Sequence, residues 1–392
     1  MPDLVALALP GGPAFVEALR RIWDRGDAAA PIDPRLPSPA RAALLQALAP
    51  GRVADEEGEH ALAGGRPVEP GDALVVTTSG TTGTPRGVVL THDAVVASAR
   101  ASSARLAVDG HDGWLACLPL SHVGGLSVVT RAVVTGTPLT VLPGFDAPTV
   151  EAAARAGSTL VSLVPTALRR IDPALFRVIV LGGSRPPTER PANTVTTYGL
   201  TESGSGVVYD GRPLDGVEVR VTDDGEILLR APMLLRCYRD GTDPKDADGW
   251  LRTGDLGGWR EDGRLRVQGR RGDLIVTGGE NVWPEPVEVR LGDHPAVTEV
   301  VVAGRDDEEW GQRVVAFVVP RAGAVKPSLD ELRRWVKEEL PAWCAPRELV
   351  LVDEIPRTAL GKPRRDALLA AEGAGGPERQ AVPRTPAPPS IT

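Results

Sequence analysis

Lysine is nearly missing from this sequence of 392 residues: Lys245, Lys326, Lys337 and Lys362 are its only four, and arginine supplies the other 40 of 44 basic residues. Against that bias, any lysine inside a motif is informative. Cysteine is scarce too. Cys117, Cys237 and Cys344 are odd in number, far apart and without Cys-x-x-Cys spacing, which excludes a disulfide framework and a zinc site and fits a reducing, cytoplasmic setting. Positive charge is not in excess: 52 acidic residues leave a net charge of −8 and a pI near 5.4, which excludes a general nucleic-acid or membrane-surface binder. No run of about 18 uncharged apolar residues occurs, so no membrane span is expected. The start, Met1-Pro2-Asp3, lacks the basic segment of a secretory signal, and no Gly-x-Ser-x-Gly elbow marks a serine hydrolase.

What is present is organised around Thr77-Thr78-Ser79-Gly80-Thr81-Thr82-Gly83-Thr84-Pro85-Arg86-Gly87, set between the apolar runs 73–76 and 88–90. It reads as a loop between two short buried strands. Glycines let backbone N–H groups come close to a guest, hydroxyls add donors, and successive N–H groups form a nest for anions. The guest expected is a polyphosphate. Neither Gly80 nor Gly83 has a Gly-Lys pair at the Walker A offset, so an ordinary P-loop NTPase is excluded. A flexible linker would share this composition; the flanking strands speak against it.

With 42% hydrophobic residues the chain is long enough for two cores. Helices are expected over 12–24 and 40–48, and over 93–106 behind a cap at Thr91 or Asp93. Residues 55–71 are acidic, rich in Gly and Pro and without periodicity, and read as a loop. Strands over 114–118, 138–142, 159–164 and 177–181 alternate with helices over 126–134, 149–156 and 165–171. This predicts an α/β fold, with a large N-terminal domain of mostly parallel sheets covered by helices. Ligands in such sheets sit beyond the carboxyl ends of strands, where the phosphate loop, His122 and Gly182-Gly183-Ser184 all fall. Residues 217–221 and 226–230 alternate as an antiparallel pair. A small C-terminal α/β domain follows, with a helix near 286–291, strands over 297–303 and 313–319, and a helix over 329–340. The expected division is 1–271, 272–370 and, from its Gly, Ala and Pro content, a disordered tail over 371–392.

The stretch from Thr78 to Gly87 resembles the signature Thr-Ser-Gly-Thr-Thr-Gly-x-Pro-Lys-Gly of the acyl-adenylate-forming superfamily, which includes acyl-CoA synthetases, peptide-synthetase adenylation domains and luciferases. One position departs, Arg86 for lysine. A planar fork and a point charge bind phosphate differently, so ATP affinity is the property this departure touches. Further motifs follow in the family's order: Pro119-Leu120-Ser121-His122, Tyr198-Gly199-Leu200-Thr201-Glu202, Gly249-Trp250-Leu251-Arg252-Thr253-Gly254-Asp255, Gly269-Arg270-Arg271-Gly272-Asp273, Gly278-Gly279-Glu280-Asn281 and Gly361-Lys362-Pro363.

The resemblance implies an ATP-dependent acyl-CoA ligase that works through an acyl-adenylate, with ATP, Mg²⁺ and coenzyme A as its small-molecule partners. Thr78, Ser79, Gly80, Thr81, Thr82, Gly83 and Arg86 are then the phosphate-binding residues, joined in the nucleotide site by Gly182, Gly183, Ser184, Tyr198, Gly199 and Thr201. The Tyr198 ring can stack on adenine, and Thr201 can donate to the α-phosphate. Glu202 offers the hard oxygen that Mg²⁺ prefers, with Thr81 beside it. His122 would gate the substrate carboxylate, although a loop histidine serves equally as a structural residue. Asp255 would accept from the ribose hydroxyls, and Arg270 would contact ribose or phosphate. Gly272 is the hinge of a mobile small domain, Gly278 and Gly279 face the CoA tunnel, and Lys362 is the catalytic lysine.

Within the superfamily, residues 207–217 and the Gly-Gly-Glu-Asn-Val loop look most like the ligases that activate o-succinylbenzoate in menaquinone synthesis. That acid has a second carboxylate, costly to bury without a cation. Thr166, Arg169 and Arg170 are the candidates to meet it; helical neighbours point about 100° apart, so one arginine at most faces the acid squarely. Ligases for another aryl or short fatty acid, carrier-protein loading and a nucleotide-binding pseudoenzyme stay open as alternatives, as does a homodimer.

Overall fold

The helix Pro13–Asp24 starts with a proline whose missing N–H costs a first turn nothing, and its spacing turns Phe15, Ala18, Leu19 and Ile22 into the core. The protein is described by a computed structural model covering residues 1–79, 85–183, 186–187, 189–357, 363–371 and 378–382. The chain forms two compact units, 1–253 with 257–267, and 254–256 with 268–392.

The first unit holds two seven-stranded sheets. One runs Cys237–Tyr238, Pro85–Thr91, Asp72–Ser79, Ala28–Pro31, Leu4–Leu7, Arg52–Asp55, Gly58–Ala61. Its central pairs are parallel, and the outer pairs are antiparallel. The other runs Arg212–Pro213, Ser205–Tyr209, Thr194–Leu200, Val178–Leu181, Leu160–Leu163, Trp114–Ala116, Leu139–Val141. Here the first two pairs are antiparallel and the four that follow are parallel. Leu4–Leu7 and Leu160–Leu163 are buried at every position, which is why the second reads as a near-continuous apolar run; the first, only four residues long, is a strand that the sequence pattern did not predict. Gly58–Ala61 is exposed at every position, so no alternation marks it, and the loop expected over 55–71 contains an edge strand instead.

Helix ends follow local chemistry. Thr91 caps His92–Arg105 by accepting from the Ala94 amide at 3.1 Å, and Asp146 caps Ala147–Arg155 through the Thr149 amide. The helix expected over 165–171 extends only over Pro165–Leu168.

The second unit is built on the strand Gly311–Pro320. It pairs with Val297–Asp307 over an 11-residue strand, and on its other side with Glu348–Leu351 in parallel. The helices Pro284–Gly292 and Leu329–Lys337 bury Val287, Leu291, Leu332 and Val336 against this sheet. Ser328 and Glu331 close the start of the second helix as a capping box. The disordered tail expected over 371–392 does not hold at residues 379–382. Arg379–Ala381 is a strand antiparallel to Glu348–Leu351, secured because Gln380 accepts from the Leu329 amide at 2.7 Å and Val382 packs on the core. Among the described residues no helix is long and apolar enough to cross a membrane.

Candidate active site

The phosphate loop joins the antiparallel strands Asp72–Ser79 and Pro85–Thr91, with Thr78 paired to Arg86 and Thr77 to Gly87. Gly80, Thr81, Thr82, Gly83, Ser184 and Lys362 lie outside the described residues. Arg86 leaves the second strand with its guanidinium carbon 3.9 Å from the Tyr238 ring centroid and Nη2 3.3 Å from Asp240. The Tyr238 hydroxyl in turn donates to Glu202 Oε1 at 2.9 Å. The backbone brings Tyr238 there: the Arg236 and Arg239 amides donate to Val89 and Gly87 carbonyls on the phosphate strand, and the Leu235 amide donates to the Glu202 carbonyl at 2.7 Å.

Glu202 sits in a single 3₁₀ turn, Thr201–Ser203, between the strands Thr194–Leu200 and Ser205–Tyr209. The turn is fixed from inside by Ser203, fully buried, whose hydroxyl accepts from the Leu200 amide at 2.9 Å and reaches the Ser205 carbonyl at 2.8 Å. Only glycine fits at Gly199, where a β-carbon would stand 2.1 Å from the Ser205 carbonyl oxygen. The pairing register shifts beside it, after Tyr198. Tyr198, Thr201 and Glu202 are all half-buried, open enough to meet a ligand.

Gly182 donates to the Leu163 carbonyl at 3.2 Å, and an added β-carbon on it would lie 2.7 Å from the Thr197 hydroxyl. Gly182 and Gly183 therefore lie beside the start of the 165–168 turn on one side and Thr197 and Tyr198 on the other. Among the described residues no group of three or more His, Cys, Asp or Glu could cage a metal. One carboxylate, Glu202, beside a phosphate loop is the arrangement Mg²⁺ uses when it keeps waters and takes its other oxygens from a substrate's phosphates, so these residues fit it.

His122 is the N-cap residue of the helix Val123–Thr135, and its carbonyl accepts from the Leu126 amide at 2.8 Å. Nearby, the Asp33 carboxyl is held below its ordinary range first by the hydrogen bond from the Arg35 side chain, with burial opposing. Thr166, Arg169 and Arg170 are exposed, and Arg170 lies 5.0 Å over the Phe145 ring.

In the second unit Asp255 is buried and pairs with Arg270 at 3.2 Å. Gly272 lies in the turn Arg271–Asp273 with open space around an added β-carbon. Gly278 and Gly279 both have positive φ, and a β-carbon on Gly278 would collide with the Trp310 ring. Arg357 and Pro363 form an isolated antiparallel bridge, and Arg365 pairs with Glu288 at 2.7 Å.

Sequence reading brought out neither Tyr238 nor Ser203. Tyr238 belongs to a strand of two residues, too short for any periodicity, and Ser203 reads as one more turn residue until its burial is seen.

Residues 51–239 match the family described as AMP-binding enzyme, and residues 286–362 match the AMP-binding enzyme C-terminal domain. The chain is 40% identical over 392 residues to a probable 2-succinylbenzoate–CoA ligase of Mycobacterium tuberculosis strain H37Rv, covering 93% of this chain and 97% of that protein. It superposes on o-succinylbenzoate CoA synthetase of Bacillus subtilis in complex with the acyl-adenylate intermediate OSB-AMP with a TM-score of 0.84 at 29% identity, covering 96% of this chain and 89% of that one. The same enzyme in complex with ATP and magnesium ion gives 0.81 at 28% identity, with 93% and 89% covered.

Proposed function

The chain belongs to the AMP-binding enzyme family, and we propose that it is an ATP-dependent ligase joining o-succinylbenzoate to coenzyme A through an acyl-adenylate, with release of AMP and pyrophosphate. The observation that carries the reading is the convergence of the phosphate strand, the Gly182-Gly183 pair and the Thr201-Glu202 turn at strand ends of one unit, in a chain that matches such ligases along nearly its whole length.

In the first half-reaction an oxygen of the substrate carboxylate attacks the α-phosphorus of ATP, and pyrophosphate leaves. Thr78 and Arg86 hold the phosphates, the Tyr198 ring stacks on adenine, Thr201 donates to the α-phosphate, and Asp255 and Arg270 hold the ribose. His122 orients the carboxylate. Lys362 donates to the charge that grows on the phosphoryl oxygens, the type of contact that counts most because it strengthens in the transition state. Mg²⁺, when bound, neutralises phosphate charge; Glu202 and the Thr81 hydroxyl would hold it. In the second half-reaction the CoA thiol, giving up its proton, attacks the acyl carbon and AMP leaves. Gly272 is the pivot that withdraws Lys362; Gly278 and Gly279 face the pantetheine arm, with open space at Gly279 and the Trp310 ring against Gly278. Such an enzyme, with its acid, ATP and CoA all small molecules of the cell interior, works in the cytoplasm.

The test is the purified protein with ATP, Mg²⁺, CoA and o-succinylbenzoate, read by mass spectrometry. The thioester and AMP are expected in equal amounts. Thioester from another aryl or short fatty acid, and none from o-succinylbenzoate, would keep the ligase and change the acid.

A further inference from the structure

Arg131 is 2% exposed, and among the described residues its side chain meets two serines, a tyrosine and a tryptophan, none of them a carboxylate. Its Nε donates to Ser102 at 2.8 Å, while Nη2 lies at longer range, 3.4 Å from the Ser205 hydroxyl and 3.5 Å from the Tyr209 hydroxyl. The guanidinium carbon is 4.6 Å from the Trp114 ring centroid, and among the described residues Nη1 has no hydrogen-bond partner. A buried charge with no opposite charge is expensive, and an apolar side chain of similar length would fill the same space without that cost. What only arginine supplies here is a set of directed donors joining separate elements.

Each of those elements adjoins a motif of the site in the chain. Ser102 is on the helix His92–Arg105, which continues directly from the phosphate strand Pro85–Thr91. Arg131 itself is on the helix that His122 begins. Trp114 is on the strand leading to Pro119, and Ser205 opens the strand that leaves the Thr201–Ser203 turn. The Ser205 carbonyl is the oxygen that takes the Ser203 hydroxyl and lies against Gly199, so whatever holds Ser205 holds the turn. The Ser102 hydroxyl is fully committed as well, accepting from Arg131 and donating to the Ser98 carbonyl at 2.7 Å.

We propose that Arg131 is a positioning residue for adenylation: from the core of the first unit it fixes the Thr201-Glu202 turn against the helices that follow the phosphate strand and His122, and so sets the geometry in which ATP is bound and attacked. The inference rests on the ligase reading above. It assigns Arg131 no contact with substrate.

The test compares Arg131→Met, Arg131→Lys and the milder Ser205→Ala in ATP–pyrophosphate exchange, with each rate divided by active sites titrated from the acyl-adenylate burst. Folding is followed separately by circular dichroism. For Arg131→Met the KM for ATP should rise at least about 10-fold with a fall in exchange kcat, while thioester formation from preformed acyl-adenylate changes less than about 2-fold. Arg131→Lys should recover part of the loss, and Ser205→Ala should raise the KM for ATP by about 3-fold. A merely structural arginine would lower the thermal midpoint and the titrated fraction and leave KM and kcat per site alone; that outcome overturns the proposal. Should Arg131→Met not fold, Arg131→Lys and Ser205→Ala decide, and wild-type constants in both defeat it. A wild-type protein that releases no pyrophosphate with any carboxylic acid defeats the ligase reading instead, and this proposal falls with it.

Discussion

The Tyr238 hydroxyl donates to Glu202 at 2.9 Å while the Arg86 guanidinium lies 3.9 Å over the face of the same ring. One phenol thus touches both the cation of the phosphate strand and the carboxylate suited to a metal. The flat guanidinium covers the ring more fully than an ammonium could, which gives the Arg86 departure a physical setting. Tyr238→Phe keeps the ring under Arg86 and removes only the donor. It should raise the Mg²⁺ concentration for half-maximal adenylation by about 3- to 10-fold, the range for losing one ordinary hydrogen bond. Weaker Mn²⁺ binding in the presence of ATP, read by electron paramagnetic resonance, should accompany it; unchanged metal affinity would show that the bond is incidental.

Lys362→Ala should slow adenylation by about 10²- to 10³-fold, the cost of removing one preorganised donor to transition-state charge. Conversion of preformed acyl-adenylate to thioester should be nearly unaffected. An equal fall in both half-reactions would make Lys362 a structural residue.

Gly272 offers a clean backbone experiment because an added β-carbon there meets nothing within 4 Å. Gly272→Ala should be tolerated, whereas Gly272→Pro fixes φ near −65° and should impair one half-reaction far more than the other. Single-turnover measurement of acyl-adenylate and thioester decides; normal rates in both would move the pivot elsewhere.

Arg169 and Arg170 are both exposed, and Arg170 is drawn to the Phe145 face. If either meets the second carboxylate of o-succinylbenzoate, its replacement by leucine should raise the KM for that acid at least about 10-fold and leave a monocarboxylic aryl acid nearly unchanged. Unchanged KM in both single variants would remove this support for a dicarboxylate substrate.

Asp112 supplies a pH prediction. It is 3% exposed; burial pushes its pKa up, and the hydrogen bonds from Arg177, Thr159 and the Asp109 amide outweigh this and hold it below the ordinary 3.8. The folded state therefore binds this proton less readily than the unfolded chain, so the stabilisation is complete above pH 3.8 and is lost as pH falls below it through the depressed value. Asp112→Asn should cost about 1–3 kcal/mol at neutral pH, with the half-exposed Arg177 keeping it below the fully buried range. In urea titrations the gap to wild type should close below pH 4, on the order of the carboxylate's own range; a constant gap would refute the assignment.

The parallel centre of the second large sheet was legible because strands buried on both faces read as near-continuous apolar runs, as at Leu160–Leu163; that of the first was not, since Leu4–Leu7 and Ala28–Pro31 are strands of only four residues. Gly58–Ala61 was not, since an exposed edge strand bears no pattern. The motif residues announced themselves by type and spacing. Their supports did not: Tyr238 and Arg131 come together with the site only through sheet pairing and helix packing, which bring positions 36 and 74 residues apart within hydrogen-bonding reach of Glu202 and Ser205.

The strand Arg379–Ala381 also has a practical meaning for handling the molecule. It covers the outer edge of Glu348–Leu351, whose backbone amides and carbonyls would otherwise face water as a template for another chain. Shortening the polypeptide after Ala371, where composition suggests a dispensable tail, would strip that cover and leave an apolar strand end to end with its neighbours. The shortened protein should therefore precipitate or self-associate at concentrations the full chain tolerates, and an affinity tag is better attached beyond Val382 than in place of what precedes it.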